Sequence, residues 1–391
     1  MQPHRLCVAV SVGVLAIFAV VSAQRADAIP AFARKYQYSC STCHAPFPRL
    51  KPFGEEFAAR GFRMEDPSKE PSRATYDVGD PLLQLSRDLP LAMRLDAYAS
   101  LKEKAAARSD FEWPWAVKIL SGGPITRSIS YYVYGILEQG ESVKLEDTFL
   151  QFSSVFGLPV DLTIGQFQVS DPLFKRELRL EREDYEILKA RVGIVPTNLT
   201  YDRGLVLTWH APAEVEVVAQ VVNGNGISPA EHDNFDDGSY KNTALRLVRQ
   251  FGPVRLGVFG YQGRAERGNF RNTLRYLGPD LIVDLGERWR FSAQVLKRTD
   301  DDPFLVGYVG RTYVTKGGFG ELLFFPRGQD GRWVASLLYN KINSDDPATR
   351  YESVACTGNY LLARNARLVV EVARDLEGDA NRLSLGVITA F

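Results

Sequence analysis

From about Leu89 onward the sequence is a series of short runs in which apolar and polar residues alternate, separated by turn residues. In one run Phe291, Ala293 and Val295 alternate with polar residues, and the run 383–391 repeats the pattern. Successive side chains of a β-strand point to opposite faces, so each run predicts a strand with one apolar face. Runs of about ten residues with this period are typical of a transmembrane β-barrel.

The connections between these runs are of two kinds. Tight turns occur at residues 122–127, 157–159, 211–213, 251–254, 286–288 and 364–366. Longer polar loops occur at 102–113, 223–242 and 264–272. This asymmetry matches the short periplasmic turns and long external loops of outer-membrane barrels. We count about seventeen runs, and because a barrel with both ends on one side needs an even number, we predict about 16 strands within residues 89–391.

A soluble β-sandwich or barrel is the main alternative, because its strands also alternate. Three features favour the membrane barrel. The strands are many and evenly spaced, and the 17 Tyr and 22 Phe are numerous enough for aromatic girdles. The amphipathic final run ends in Phe391, which resembles the assembly signal of outer-membrane proteins.

Residues 1–28 predict a secretory signal peptide. An apolar run at 6–23 is followed by Ala26-Asp27-Ala28, a small-x-small cleavage site. An uncleaved signal anchor is the alternative, because the run could just span a bilayer. No other segment approaches the ~18 apolar residues of a membrane helix, so a mature chain in a membrane would be there as a barrel.

Residues 40–44 read Cys-Ser-Thr-Cys-His, the pattern of covalent c-type haem attachment. Two thiols three residues apart can both add to the haem vinyl groups, and the next residue then presents its imidazole to the iron. With four Cys and four His in 391 residues, the pattern is rare by chance. The sequence therefore predicts one haem c on Cys40 and Cys43, with His44 as proximal iron ligand.

Two other kinds of protein site also contain a C-x-x-C pair. A zinc site needs four ligands, and the sequence has neither a second C-x-x-C nor a nearby His-x-x-x-His. A thioredoxin-like pair expects a βαβ context, which the prolines around residues 30–52 do not offer. Cys356 lies on the apolar side of an alternating run, where it is predicted to act as a small hydrophobic residue.

The sixth haem ligand is open. Met64 follows a short amphipathic helix predicted at about 50–60, in which Phe53 and Phe57 share one face and Gly61 ends the helix. Local folding would return this thioether towards the haem, and His/Met ligation raises the reduction potential. Met93 is the other methionine of the mature chain. Ordinary packing of Met64, with a five-coordinate iron or a different ligand, is an equal alternative.

The haem segment, residues 29–75, is too short to bury a cofactor well by itself, and we expect it to lean on the barrel as a plug. The charged run within residues 171–195 is a second candidate for a segment inside the lumen, and it falls at about the third long loop. It predicts an inward-folded loop that narrows the lumen or touches the haem segment, or else a solvated external helix.

Lys plus Arg and Asp plus Glu each total 47, so the chain has no basic excess for nucleic-acid binding.

Short motifs surround the haem pentad: Ile29-Pro30-Ala31-Phe32-Ala33-Arg34-Lys35, Phe53-Gly54-Glu55-Glu56-Phe57 and Gly61-Phe62. Together they resemble the cytochrome segment of outer-membrane cytochrome-porin fusions of iron-oxidising bacteria. The detailed similarity covers about 35 residues; over the barrel it is one of architecture. The resemblance implies a haem, periplasmic or in the lumen, that takes electrons from outside the cell and passes them to soluble periplasmic carriers.

We therefore expect an outer-membrane protein, mainly β, that transfers electrons across the membrane through one haem, since electrons cannot cross ~30 Å of hydrocarbon without a centre inside it. The expected partners are outer-membrane lipid, a periplasmic cytochrome or other carrier, and an extracellular metal or other donor or acceptor. The narrower form is an Fe(II):cytochrome oxidoreductase. A solute porin with a tethered haem module is the first alternative. A haem peroxidase is the second, and the motif offers it Glu55 and Glu56 but no distal His.

Overall fold

A computed structural model describes residues 31–66, 69–70, 75–76, 78–80, 83, 85–87, 90–169, 174–230, 233–236, 238–307 and 310–391. The predicted signal peptide, residues 1–28, lies outside the described residues. Most of the described chain is one antiparallel sheet closed on itself.

The barrel has sixteen strands, each hydrogen-bonded to the next along the chain. In chain order they are β1 Leu91–Lys102, β2 Ser109–Pro124, β3 Ile129–Glu138, β4 Lys144–Phe152, β5 Val160–Gln168, β6 Tyr201–Ala211, β7 Val215–Val222, β8 Asn242–Phe251, β9 Val254–Arg267, β10 Phe270–Leu285, β11 Trp289–Asp300, β12 Tyr313–Phe324, β13 Trp333–Ser344, β14 Tyr351–Ala363, β15 Ala366–Asp375 and β16 Ala380–Ala390. β16 pairs with β1, with Ala390 opposite Arg94. The predicted closed barrel and its strand number are confirmed.

Buried and exposed residues alternate along the strands, but here the polar residues are buried and the apolar residues exposed, which is the reverse of a soluble barrel. In β11 the polar Arg290, Ser292 and Gln294 are buried, whereas Phe291 and Val295 are exposed. The inner face is therefore polar and the outer face apolar, as lipid-facing strands require. The same alternation puts Cys356 of β14 on the outer face, where it is exposed.

The two ends of the barrel differ. The end at which β1 begins and β16 ends, here called the near end, carries all six predicted tight turns. The opposite, far end carries the long connections 169–200, 223–241 and 301–312. Two far-end loops were predicted too long: β2 already begins at Ser109, and β9 and β10 continue until only two residues separate them. Their polar strand ends resemble loops in sequence because they extend past the apolar band.

Aromatic side chains mark both rims of the apolar outer face. Exposed members at the near end are Phe156, Trp209, Phe251, Trp289, Trp333 and Phe391. Two of them contact an aromatic ring on the neighbouring strand: Trp289 stacks on Phe324 at 4.2 Å, and Trp333 lies tilted against Tyr360 at 4.6 Å between ring centroids. Such pairs contribute roughly 0.5–1.5 kcal/mol beyond the area that they bury. Phe111, Trp113 and Phe270 are exposed at the far end.

The described residues before the barrel form three short helices: α1 Ala31–Tyr36, α2 Cys40–Cys43 and α3 Pro52–Ala59. Two-residue strands at Thr75–Tyr76 and Leu85–Ser86 pair with each other before β1. α3 confirms the helix predicted at 50–60: the rings of Phe53 and Phe57 lie 6.3 Å apart, and Gly61 ends it with φ +66°. None of the helices in the described ranges is long and apolar enough to cross a membrane.

The connection between β5 and β6 folds into the barrel. Within its described part, residues 174–200, lie the helix α4 Glu186–Lys189 and the 3-10 turn Arg176–Leu178. Leu180, Tyr185 and Leu188 are fully buried. This segment, 174–199, is called the lumenal insert below. The inward-folded loop is confirmed at the third far-end connection, and the alternative of a solvated external helix is wrong because its apolar residues face the core.

Candidate functional site

The two cysteines of the haem pentad lie on one helical turn at the near mouth of the barrel. Ser39 caps α2 by accepting a hydrogen bond from the Ser41 N–H, and the His44 N–H closes the turn on the Cys40 carbonyl at 2.9 Å. Both thiols are free and half-buried. α3 packs directly on α2 at Gly54, where a Cβ would overlap the Cys43 carbonyl. Glycine is therefore required for this contact.

The chain then forms a narrow loop, residues 44–50, here called the finger. His44 and Leu50 pair as an antiparallel bridge, and the Ala45 N–H donates to the Arg49 carbonyl at 2.9 Å. At the tip, Phe47 is buried in a cluster with Tyr98 of β1 and Ile388 of β16. The finger therefore enters the lumen, and the haem pentad stands at its base.

The His44 imidazole is held by the finger's own backbone. Its Nδ1 lies 3.1 Å from the Pro48 carbonyl oxygen and 3.3 Å from the Arg49 carbonyl oxygen. Carbonyl oxygens only accept, so Nδ1 carries the proton and Nε2 keeps its lone pair. No described residue hydrogen-bonds Nε2, and burial lowers the pKa of His44 below its usual value. A neutral imidazole with a free Nε2 and a fixed Nδ1–H is the form in which histidine binds metals.

Burial also determines the state of the thiols. It raises the pKa of Cys40 above its usual value and that of Cys43 to about 11. Redox-active C-x-x-C pairs have lowered pKa values because the thiolate is the nucleophile, so these thiols do not fit a thioredoxin-like pair. Among the described residues no group of three or more His, Cys, Asp or Glu side chains could hold a metal ion.

An aromatic cluster surrounds the helices. It contains Phe32, Tyr36, Tyr38, Phe53, Phe57 and Phe62, with neighbouring ring centroids 4.8 to 6.3 Å apart. Phe57 and Tyr36 are buried, whereas Tyr38 and Phe53 are each 37% exposed at the mouth. The thiols, the imidazole and this apolar surface fit a covalently held planar cofactor.

The structure distinguishes among the other candidate ligands. Met93 belongs to β1 and is bonded through its backbone to Phe391, with the two N···O distances at 2.7 and 2.9 Å. Met64 is half-buried just after α3, and its N–H donates to Glu70 at 2.7 Å. His210 lies at the near-end rim beside Asp161, 3.2 Å from its carboxylate, and His232 is outside the described residues. Met64 is thus the methionine on the haem segment, and Met93 is on the barrel wall.

Polar contacts tie the haem segment to the barrel wall. Lys51 donates to Asp330 at 2.7 Å, and the Gln151 side chain donates to the Ala59 carbonyl at 2.6 Å. Glu55 lies 3.3 Å from Arg290 and 3.5 Å from Arg255. Glu56 lies 3.7 Å from Arg60, so each of the two carboxylates considered for a peroxidase is paired with arginine.

The finger also meets the lumenal insert. Ala45 shares an apolar cluster with Leu180, and Arg367 of β15 donates to the Leu180 carbonyl at 3.0 Å. Between the insert and β1–β4 a cavity of about 40 Å³ remains, lined by charged and aromatic residues including Lys118, Tyr134 and Glu146. It has room for a few water molecules.

Arg49 was missed by sequence reasoning. Its guanidinium is buried and lies 3.3 Å from the buried Glu321 carboxylate of β12. The one available signal was a charged residue inside an otherwise apolar and proline-rich stretch, and its partner is too far along the chain to be identified from the sequence.

Solved structures share this fold. No protein-family model matches the sequence, and no curated protein is similar to it. An anion-selective porin from Comamonas acidovorans is 10% identical over 77% of this chain and 98% of that chain, with a TM-score of 0.57. The barrel has the porin fold. The outer membrane channel DcaP of Acinetobacter baumannii is 10% identical over 78% of this chain and 97% of that one, with a TM-score of 0.56.

OmpTdeltaL8, a loop-deletion mutant of the outer membrane protein OmpT of Vibrio cholerae, gives a TM-score of 0.53 at 11% identity, covering 77% of this chain and 98% of that chain. The shared part corresponds in length to β1–β16. These likenesses establish the barrel architecture.

Proposed function

We propose that the chain is a bacterial outer-membrane protein that carries one covalent haem c at the near mouth of its barrel and transfers electrons across the membrane. The observation that carries the proposal is the position of the haem pentad. Cys40, Cys43 and His44 lead directly into a finger that is folded inside the barrel. A haem module that was merely tethered would have no need of this contact.

The outer face supports the membrane location. It is apolar between two aromatic rims, the pattern of a barrel in a bilayer. The three structural neighbours are named as a porin, an outer membrane channel and an outer membrane protein. Short turns at the near end support a periplasmic position for that end, with the longer connections outside.

Cys40 and Cys43 would hold the haem through thioether bonds and His44 would bind its iron, with Met64 as candidate sixth ligand. Haem c supplies a one-electron Fe(III)/Fe(II) couple when bound. The chain's own residues fix the His44 tautomer through the Pro48 and Arg49 carbonyls. The exposed rings of Tyr38 and Phe53 offer an apolar contact surface at the mouth to a soluble periplasmic electron carrier.

The test uses the full-length protein purified from outer membranes. Covalent haem is measured by a pyridine haemochromogen spectrum after acid-acetone extraction. Reconstituted liposomes that enclose an oxidised soluble cytochrome are then mixed anaerobically with an external reductant. Reduction of the enclosed cytochrome is expected, and its absence with haem present would refute transmembrane transfer. Fe(II) as the reductant tests the oxidase form.

A solute porin is the second candidate, and the names of the structural neighbours favour it. The finger and the lumenal insert oppose it, because both occupy the lumen. Planar-bilayer conductance and liposome swelling with small sugars measure it directly. Swelling as fast as with an open porin would favour this candidate over the conduit.

A further inference from the structure

One side chain on the barrel wall joins the two segments that occupy the lumen. Glu321 of β12 is completely buried. Its Oε1 accepts the Tyr185 hydroxyl of the lumenal insert at 2.6 Å, and its Oε2 lies 3.3 Å from Arg49 Nη1 of the finger. Each of the three side chains comes from a different part of the chain.

Tyr185 and Arg49 each make a further contact with the barrel wall. The Tyr185 ring stacks on Phe319 with centroids 4.1 Å apart, and Arg49 Nη2 donates to Ser292 of β11 at 3.4 Å. Arg49 is also the residue whose carbonyl oxygen faces His44 Nδ1 at 3.3 Å. Its side chain is therefore fixed to the wall while its backbone orients the imidazole.

We propose that Arg49, Glu321 and Tyr185 form a latch that holds the finger in the lumen and positions His44, with Arg49 as the positioning residue. The latch is a structural inference of its own, and only its effect on haem rests on the proposed function. When the latch is intact, the Pro48 and Arg49 carbonyls keep their bonds to Nδ1–H. Such bonds make an imidazole a stronger donor and so stabilise Fe(III).

Removing only one charge would leave its buried partner unpaired and could unfold the protein. The test variant is therefore the double substitution Arg49→Met/Glu321→Gln, which removes both charges and keeps an acceptor for Tyr185. The matched control is Arg246→Met/Asp280→Asn. That pair is equally buried, 2.5 Å apart, and joins β8 to β10 away from the finger. Arg49→Lys tests rescue by a conserved charge, and Tyr185→Phe removes a single hydroxyl if the double variant does not assemble.

Two readouts are measured on full-length protein. In planar bilayers the latch variant is expected to conduct more than the parent, because the finger is released, while the control pair behaves as the parent. In a potentiometric titration the haem of the latch variant is expected to shift to a higher midpoint potential, with Arg49→Lys intermediate. Conductance and potential both equal to those of the control would overturn the latch. If the parent carries no covalent haem, the proposed function fails and conductance alone decides the latch.

Discussion

The two segments inside the barrel are held there by different forces. The lumenal insert contributes Tyr185, Leu188 and Leu199 to the largest apolar core of the molecule, where all three are fully buried. The finger contributes the small apolar contact of Ala45, one buried aromatic ring at its tip, a buried ion pair and a hydrogen bond from Arg49 to Ser292. The insert is thus part of the barrel's core, whereas the finger is docked against a barrel that is already complete.

The two kinds of contact differ in how much they stabilise the folded protein. Burying a leucine side chain is worth about 1.5–3 kcal/mol, so the insert stabilises the barrel strongly. The cost of desolvating a buried ion pair cancels most of its Coulomb attraction. The ion pair of Arg49 with Glu321 therefore contributes more to the orientation of the finger than to stability. Changes in the insert should therefore affect barrel assembly, and changes in the finger should affect the haem site.

The largest expected effect is loss of the assembled barrel on Leu188→Asp. The new carboxylate would be buried without a partner, at a cost of roughly 3–5 kcal/mol. Assembly is measured by heat-modifiable migration in gel electrophoresis. Ile194→Asp is the control, since Ile194 belongs to the same insert and is 51% exposed. Normal assembly of Leu188→Asp would show that the insert is not part of the core.

Next in size is the double variant Cys40→Ser/Cys43→Ser, which removes both thiols and should abolish covalent haem attachment while leaving assembly unchanged. The haemochromogen spectrum after acid-acetone extraction measures this. Cys356→Ser should retain full haem because Cys356 lies on the outer face of β14. Covalent haem in the double variant would place the attachment elsewhere.

A smaller and purely local effect is expected for Gly54→Ala. Alanine normally stabilises a helix by up to about 1 kcal/mol over glycine. Here its Cβ would overlap the Cys43 carbonyl, and the overpacking should cost roughly 1–3 kcal/mol. Protease sensitivity of the haem segment should rise while barrel unfolding in urea stays the same. Gly358→Ala, where a Cβ meets open space, is the matched control; increased protection in Gly54→Ala would contradict the close contact of α2 and α3.

The smallest effect belongs to Glu55→Gln, which removes the ion pairs with Arg255 and Arg290. Partly exposed pairs contribute about 1 kcal/mol or less and weaken with salt. Protease protection of the haem segment should therefore fall slightly at low ionic strength and match the parent at high salt. A loss that is independent of salt would mean that Glu55 packs rather than pairs.

Local periodicity explains which parts of the fold were predictable. The strand number and α3 each depend on neighbouring residues, and the sequence predicted them; for the third long loop it left an inward-folded loop and a solvated external helix as equal alternatives. The loops expected at 102–113 and 264–272 were predicted too long because polar strand ends beyond the apolar band have the composition of loops. The Cys-Ser-Thr-Cys-His motif was visible because its five residues are consecutive.

The rest of the site depends on distant partners. Arg49, Glu321 and Tyr185 have no sequence spacing that relates them, and each is an ordinary residue in its own segment. Their meeting follows only from closing the sheet and folding two segments into it. The direction in which the finger points likewise depends on the distant partners of Phe47 and Arg49 on the barrel strands.

The seam, which is the pairing of β1 with β16 that closes the barrel, affects the order of steps in folding. It joins strands at the two ends of the barrel sequence, so it carries the largest loop-closure entropy of any strand pair and a high contact order. Phe47 lies against this seam from inside, packed on Tyr98 and Ile388. The segment that precedes the barrel in translation therefore makes its apolar contact at the junction that can form only after the final strand exists.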